Sequence, residues 1–148
     1  MKKAILALSC FWAAATWAQM TPVGTWHTID DETHKPKGEV TITESNGVLT
    51  GVIGRGLQDD PKAKTICDLC KDDRKDKPII GMEFVRGLKQ EGNKNLWAGG
   101  GKILDPNNGK VYTVEMEPIE GGKKMQVRGY IGPFYRTQVW LRVQPEKP

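Results

Sequence analysis

Histidine is scarce in this 148-residue chain, where it occurs only at His27 and His34. A structural zinc site usually has four ligands, and neither histidine stands at a supporting spacing from the pair Cys67 and Cys70. No serine–histidine–aspartate order, cysteine–histidine pairing or carboxylate dyad is recognisable either. We therefore expect no catalytic residue, no metal site and no cofactor, and interpret the protein as a non-enzyme. The best alternative is an acidic cluster in one turn, made of Asp30, Asp31, Glu32 and His34.

A long apolar run is also missing. Residues 4–15 are apolar and alanine-rich, but this segment is too short to span a membrane as a helix. It follows Lys2 and Lys3 and precedes the small residues of Thr16-Trp17-Ala18, an order typical of a secretory signal peptide. We therefore predict a signal peptide over residues 1–18 and a mature domain over 19–148. The expected location is periplasmic or secreted, without stable membrane insertion. Lipid attachment at Cys10 is an alternative that the preceding residues fit poorly.

Charge of one sign is not in large excess. The formal net charge is +4, and removal of residues 1–18 leaves 20 Lys and Arg against 18 Asp and Glu, a balance of +2. So small a balance favours no nucleic-acid partner. A hydrophobic content of 38% and a charged content of 27% disfavour a disordered or membrane-spanning class. The length suits one domain with its own core.

Glycine and proline are abundant, with 17 and 9 copies, and they mark many turns. Asn46-Gly47 between two alternating segments is a strong hairpin signal. Residues 97–114 predict a second hairpin, with Pro106 and Asn108-Gly109 in its turn. Within it, Gly99-Gly100-Gly101 indicates a bend, a bulge or a close backbone approach.

The turns separate eight predicted strands. They cover residues 23–29, 38–44, 48–55, 82–88, 95–104, 110–117, 123–131 and 135–143. Nearly all are joined by short connections, which predicts an antiparallel meander. Eight is the number at which such a meander closes into an up-and-down barrel large enough for side chains or one small ligand. We therefore predict an all-β, eight-stranded antiparallel barrel.

Alternation within the strands predicts which residues face inward. The inward rows are Val40 and Ile42; Tyr112, Val114 and Met116; Met125, Val127 and Ile131; and Val139, Leu141 and Val143. The outward rows carry Thr41, Thr113, Gln126, Arg128 and Gln138. From the inward aromatic and methionine residues we predict a ligand-contacting set of Trp97, Phe84, Tyr112, Met116 and Met125. The alternative is that this set forms an ordinary core.

One long charged loop lies between the third and fourth strands. Residues 59–77 carry six charges of each sign and no strand pattern. Connections of this length are often lids or binding loops, and the alternative is a solvated insertion. Asp60 and Pro61 are suited to begin a short helix there. Cys67 and Cys70 in the same loop favour a local structural disulfide in an oxidising compartment, with a redox or metal role as alternatives.

Two groups of residues resemble known families. Gly24-x-Trp26 with Arg142 looks like the lipocalin and wider calycin signature, which implies a tryptophan at the barrel base with a basic side chain packed across it. A longer series resembles the secreted bacterial family catalogued as domain of unknown function 2147. Its pieces are residues 24–26, Cys67-x-x-Cys70, residues 78–82, 97–106, 109–112, 127–130 and 138–142. That resemblance implies a lipocalin-like barrel and supplies no catalytic residue.

Two functions follow from these predictions. The first is a lipocalin-like protein that binds a small apolar or amphipathic molecule in its barrel. The second is a structural or interaction protein of the cell envelope, with a packed barrel and no ligand. The second function predicts an exposed patch that includes Tyr130, Phe134 and Tyr135.

Overall fold

The computed structural model describes residues 20–145, and the predicted signal peptide lies outside them. Eight strands form one sheet that closes into a barrel. The strands are β1 Gly24–Ile29, β2 Pro36–Ser45, β3 Val48–Gly56, β4 Glu83–Lys89, β5 Lys102–Asp105, β6 Lys110–Ile119, β7 Lys124–Ile131 and β8 Phe134–Arg142. A short 3₁₀ helix, Glu120–Gly122, lies between β6 and β7. The all-β barrel predicted from the sequence is confirmed.

Each strand pairs antiparallel with the next, and β1 pairs with β8 to close the barrel. The closing register is short, consisting of Trp26 opposite Arg142 and His27 opposite Leu141. Because the strands run up and down in turn, the connections alternate between the two ends. We call the end with the β1–β2, β3–β4, β5–β6 and β7–β8 connections the open end. The other end, with the 3₁₀ helix, is the closed end.

The Asn46-Gly47 turn has the predicted conformation, since both residues have positive φ angles of 52° and 76°. The predicted strand over residues 95–104 is wrong in extent, because regular pairing begins only at Lys102. Gly100 has a φ of +75°, and a Cβ on Gly101 would lie 2.4 Å from Cδ1 of Leu88. The glycine run thus makes a bend and a close approach to β4, which interrupt the ladder.

The inward face of β8 differs from the prediction. Trp140 is buried and pairs directly with the fully buried Met125, so the even-numbered residues of β8 face the interior. Val139 and Leu141 face outward, and the prediction that they line the interior is wrong. Gln138 lies on the inner face, also contrary to the prediction. Both alternating sets on β8 contain apolar residues, and the large indole of Trp140 gains most from burial.

The predicted inward rows on the other strands are largely confirmed. Val40 and Ile42 of β2, Val114 and Met116 of β6, and Met125 and Val127 of β7 are all buried. Ile131 differs, because it lies at the open end of β7 and is 47% exposed. The core is tight around β3, where a Cβ on Gly51 would lie 2.9 Å from both Ile42 Cδ1 and Val85 Cβ. Interiors packed this closely leave no space for an added methyl group.

The β3–β4 connection does not contain the predicted helix. Asp60 instead begins a turn, in which its carbonyl oxygen accepts a hydrogen bond from the amide of Ala63 at 3.0 Å. Its carboxylate also accepts one from the amide of Lys62 at 2.9 Å, which satisfies the backbone locally. Across residues 20–145, no helix is long and apolar enough to cross a membrane.

Candidate functional site

The closed end is built around the stacked pair Trp26 and Arg142. The indole of Trp26 is fully buried, and the guanidinium carbon of Arg142 lies 4.1 Å from the ring centroid. Arg142 also donates to three carbonyl oxygens, those of Gly122 at 2.6 Å, Val23 at 2.8 Å and Thr21 at 2.5 Å. Burial lowers the pKa of Arg142 from its ordinary value. One side chain therefore joins the N-terminal segment, the 3₁₀ helix and the last strand.

A steric constraint explains why glycine stands two positions before Trp26. Gly24 has a φ of +135°, and a Cβ on it would lie 2.7 Å from Nη1 of Arg142. A side chain at position 24 would push the guanidinium away from the indole. The Gly-x-Trp motif and Arg142 therefore form one unit, although 118 positions of sequence separate Gly24 from Arg142.

At the open end, the long β3–β4 loop is attached to the β5–β6 turn. Cys67 and Cys70 form a disulfide and are both buried. Cys67 Sγ lies 3.6 Å from the carbonyl oxygen of Pro106 in that turn. Gly109 has a φ of +70°, and a Cβ on it would lie only 2.0 Å from the carbonyl oxygen of Leu69. The disulfide segment and the turn are thus in backbone contact.

Ion pairs and hydrogen bonds hold the second half of the β3–β4 loop against the barrel. Arg74 is buried, and its guanidinium donates to the carboxylate of Asp72 and, at 3.0 Å, to the carbonyl oxygen of Glu83. Asp73 accepts two hydrogen bonds from Arg86 on β4, at 2.8 and 2.9 Å. The hydrogen bonds from Arg74 lower the pKa of Asp72 to about 2. The charged loop is therefore tied to the barrel wall.

The Asp72–Arg74 pair predicts a pH-dependent difference in stability. The pKa of Asp72 falls from 3.8 to about 2 on folding, so its contribution is complete well above pH 4. The contribution is lost as the pH falls through about 2, where the folded state also becomes protonated. We expect Asp72→Asn to unfold at a lower denaturant concentration than the wild type at pH 7. The two midpoints should converge near pH 2, whereas a gap of constant size would show that the charge is unimportant.

The predicted ligand contacts fall into two groups. Phe84, Trp97, Met116 and Met125 are buried members of the core cluster. Tyr112 is only half-buried and lies nearer the open end of β6, where its hydroxyl accepts a hydrogen bond from Asn108 Nδ2 at 3.2 Å. The first four residues therefore form part of the core itself, and Tyr112 lies beside the more open part of the interior.

The inner wall has more room near Tyr112 than near Gly51. Gly129 of β7 lies opposite the fully buried Val114, so it faces the interior. A Cβ on Gly129 would lie 3.6 Å from Cβ of Tyr112 and 4.0 Å from Cγ2 of Ile103, which are ordinary contact distances. The open half of the barrel therefore accepts an added carbon where the tighter half does not.

A polar chain joins β8 to the β1–β2 turn at the open end of the barrel. Trp140 Nε1 donates to Gln138 Oε1 at 3.2 Å, and Gln138 Nε2 donates to both carboxylate oxygens of Asp31 at 3.1 Å. Arg136 forms an ion pair with the same carboxylate. The sequence reasoning missed Gln138 and Arg136, because β8 was assigned the opposite inner face. The signal available was their even spacing from Trp140, which is two residues for Gln138 and four for Arg136.

The residues of the acidic cluster that was considered as an enzyme site make separate structural contacts. Asp30 accepts hydrogen bonds from the amides of Glu32 at 3.1 Å and Thr33 at 2.8 Å, which stabilise the β1–β2 turn. Asp31 binds β8 instead. Within the part of the chain that the structure describes, no group of three or more His, Cys, Asp or Glu residues is arranged to hold a metal ion.

A closed, eight-stranded antiparallel barrel with a tryptophan and an arginine stacked at one end is a lipocalin-like barrel. The chain belongs to the family described as "Uncharacterized protein conserved in bacteria (DUF2147)", whose model matches residues 24–142. A solved structure, protein HP1028 of Helicobacter pylori, is described as belonging to the lipocalin family. It shares 22% identity and a TM-score of 0.69, with 84% of each chain covered, and so supports the fold alone. No curated protein matches the chain.

Proposed function

We propose that this protein is a periplasmic or secreted, non-catalytic carrier that binds one small amphipathic molecule in the open half of its barrel. One observation carries the proposal. A Cβ on the inward-facing Gly129 would lie at ordinary contact distance from Tyr112 and Ile103, whereas a Cβ on the inward-facing Gly51 would overlap its neighbours. Eight-stranded barrels of this class have an interior that can hold one small ligand.

The chemistry of the inner wall favours an amphipathic molecule over a purely apolar one. The ring of Phe84 lies 6.1 Å from that of Trp140, and Tyr112 adds a half-buried ring closer to the mouth. Beyond Trp140, the inner face of β8 becomes polar through Gln138 and Arg136. A ligand with an apolar body and a polar head group would satisfy both regions.

The second candidate is an envelope protein with a filled barrel and no ligand. Full burial of Met116 and Met125, together with the tight contacts around Gly51, favours this alternative for the core. Native mass spectrometry of protein exported to the periplasm and purified without detergent separates the two. A carrier should show a reproducible added mass that is lost on denaturation, and a filled barrel should show the bare mass of the chain.

Gly129→Leu tests the proposed location of the ligand. We expect the leucine side chain to occupy the space beside Tyr112 and Ile103, and to lower affinity for the amphipathic probe 1-anilinonaphthalene-8-sulfonate at least about tenfold. Titration of probe fluorescence measures this effect. The proposal requires that the open half hold the leucine side chain, so the free energy of unfolding should change by less than about 1.5 kcal/mol.

Two alanine variants are the controls. Gly129→Ala should fold as stably as the wild type, and Gly51→Ala should be destabilised by about 1–3 kcal/mol because its methyl group overlaps Ile42 and Val85. If Gly129→Leu were destabilised as strongly as Gly51→Ala, the open half would be filled and the second candidate would be favoured. Unchanged probe affinity in a stable Gly129→Leu would place the ligand elsewhere.

A further inference from the structure

The β7–β8 hairpin exposes large apolar side chains at the open end of the barrel. Phe134 is 74% exposed, Tyr135 is 63% exposed and Ile131 is 47% exposed. Ile131 and Phe134 are paired directly across the hairpin, so they form one continuous tip. Exposed apolar groups that cluster in this way mark an interaction surface.

The tip has a defined shape. Gly132 has a φ of +54° and precedes Pro133, so two residues make the reversal between β7 and β8. Just below the tip, the rings of Tyr130 and Tyr135 lie 5.7 Å apart on the outer face. The apolar side chains are therefore presented on a narrow projecting hairpin.

Cationic side chains surround this tip. Ile131 borders an open cleft of about 430 Å³ whose other lining residues are Lys71, Asp72, Asn108, Gly109, Lys110 and Val111. The guanidinium of Arg128 lies 4.8 Å from the ring centroid of Tyr135. We name Ile131, Phe134, Tyr135, Lys71, Lys110 and Arg128 together the open-end patch.

The carboxylates near the patch are engaged by other groups. Asp105, opposite Lys110 on the β5–β6 hairpin, accepts hydrogen bonds from Asn107 and Asn108. Glu115, opposite Arg128, accepts one from Tyr130. Asp72 lies beside Lys71 in the cleft but is bound by Arg74, and Asp31 is bound by Arg136 and Gln138. Within residues 20–145, no carboxylate oxygen lies within 4.0 Å of the ammonium group of Lys71 or Lys110. The two lysines therefore remain available to an external anion.

We propose that the open-end patch docks reversibly on an anionic phospholipid surface. Aromatic and aliphatic side chains flanked by lysine and arginine are the composition that partitions into the interface of anionic bilayers. Each lysine near such a surface adds electrostatic attraction to the lipid phosphates.

A protein partner is less well matched, because a standard interface requires about 800 Å² on each side and this tip is narrow. The docking surface lies at the exposed rim of the open end, beyond the buried part of the inner wall, and the proposal does not depend on a ligand in the barrel.

Vesicle cosedimentation tests the proposal on the intact mature protein. We expect binding to vesicles of phosphatidylglycerol and phosphatidylethanolamine in equal parts, and little binding to phosphatidylcholine vesicles. Binding should weaken at high salt because part of the attraction is electrostatic. Phe134→Ser combined with Tyr135→Ser should lower the partition coefficient at least about tenfold. Lys71→Gln combined with Lys110→Gln should lower it about tenfold or more.

Matched controls lie at the other end of the barrel. Leu141→Ser replaces an outward residue of the same strand that is 37% exposed, and Lys89→Gln with Lys94→Gln removes two lysines by the closed end. These variants should bind vesicles as the wild type does. Thermal unfolding and probe titration in solution should be unchanged in all variants, which separates docking from ligand binding. The proposal is overturned if the wild-type protein does not bind anionic vesicles. It is also overturned if patch and control variants lose vesicle binding equally. The patch would then be a site for a protein partner.

Discussion

Arg142→Met lowers the free energy of unfolding by about 3–5 kcal/mol, a large part of the 5–15 kcal/mol typical of a native domain. Methionine keeps much of the side-chain volume over the Trp26 ring but provides no hydrogen-bond donor. The carbonyl oxygens of Thr21, Val23 and Gly122 then lose their bonds to Arg142. A fully buried acceptor left without a donor costs about 1–3 kcal/mol, and these three partly buried acceptors together are expected to account for the loss. Equilibrium denaturation at neutral pH, followed by tryptophan fluorescence, measures the loss.

Arg142→Lys and Arg136→Met are the controls for this prediction. Lysine retains the charge but cannot reach three carbonyl oxygens in a planar array, so it should recover only part of the loss. Arg136 lies on the same strand in an exposed ion pair with Asp31, and its replacement should cost no more than about 1 kcal/mol. A small effect of Arg142→Met, similar to that of Arg136→Met, would contradict the view that Arg142 holds the closed end together.

The strand pattern predicted the barrel well because turn chemistry is local. Asn46-Gly47 and the alternating segments around it depend on neighbouring residues alone. The inner face of β8 was predicted incorrectly for the opposite reason. Val139 and Leu141 alternate as regularly as Gln138 and Trp140, and only the direct pairing of Trp140 with Met125 decides which set is buried.

The candidate site was predictable in part. Tyr112 was expected on the inner wall from its alternation with Val114 and Met116, and it lies there beside Gly129. The chain formed by Asp31, Gln138 and Arg136 could not be predicted, because the Asp31–Gln138 contact joins positions 107 residues apart that closure of the barrel makes neighbours. The correct face of β8 is necessary to place Gln138 and Arg136 on the same side as Trp140, and alternation alone does not provide it.

Gly109→Ala should release the β3–β4 loop from the barrel. Its methyl group would lie 2.0 Å from the carbonyl oxygen of Leu69 and 3.0 Å from the amide nitrogen of Cys70, so the loop backbone must move away. The loop carries six Lys and Arg between residues 59 and 77, and all except Lys77, which precedes Pro78, are cleavage points for trypsin. We expect cleavage in this segment to become more than about tenfold faster, since proteolysis follows the population of locally open states. Mass spectrometry of the first fragments locates the cuts.

Gly47→Ala is the control that separates the steric effect of the Gly109–Leu69 contact from the effect of backbone strain. Gly47 and Gly109 have similar φ angles of +76° and +70°, but a Cβ on Gly47 meets no atom within 4 Å. Both variants should therefore lose about 1–2 kcal/mol from the left-handed conformation, and only Gly109→Ala should open the loop. If both variants were cleaved equally fast, global unfolding would explain the cleavage. If neither were cleaved faster, Arg74 and the Asp73–Arg86 pair would be sufficient to hold the loop against the wall without the Leu69 contact.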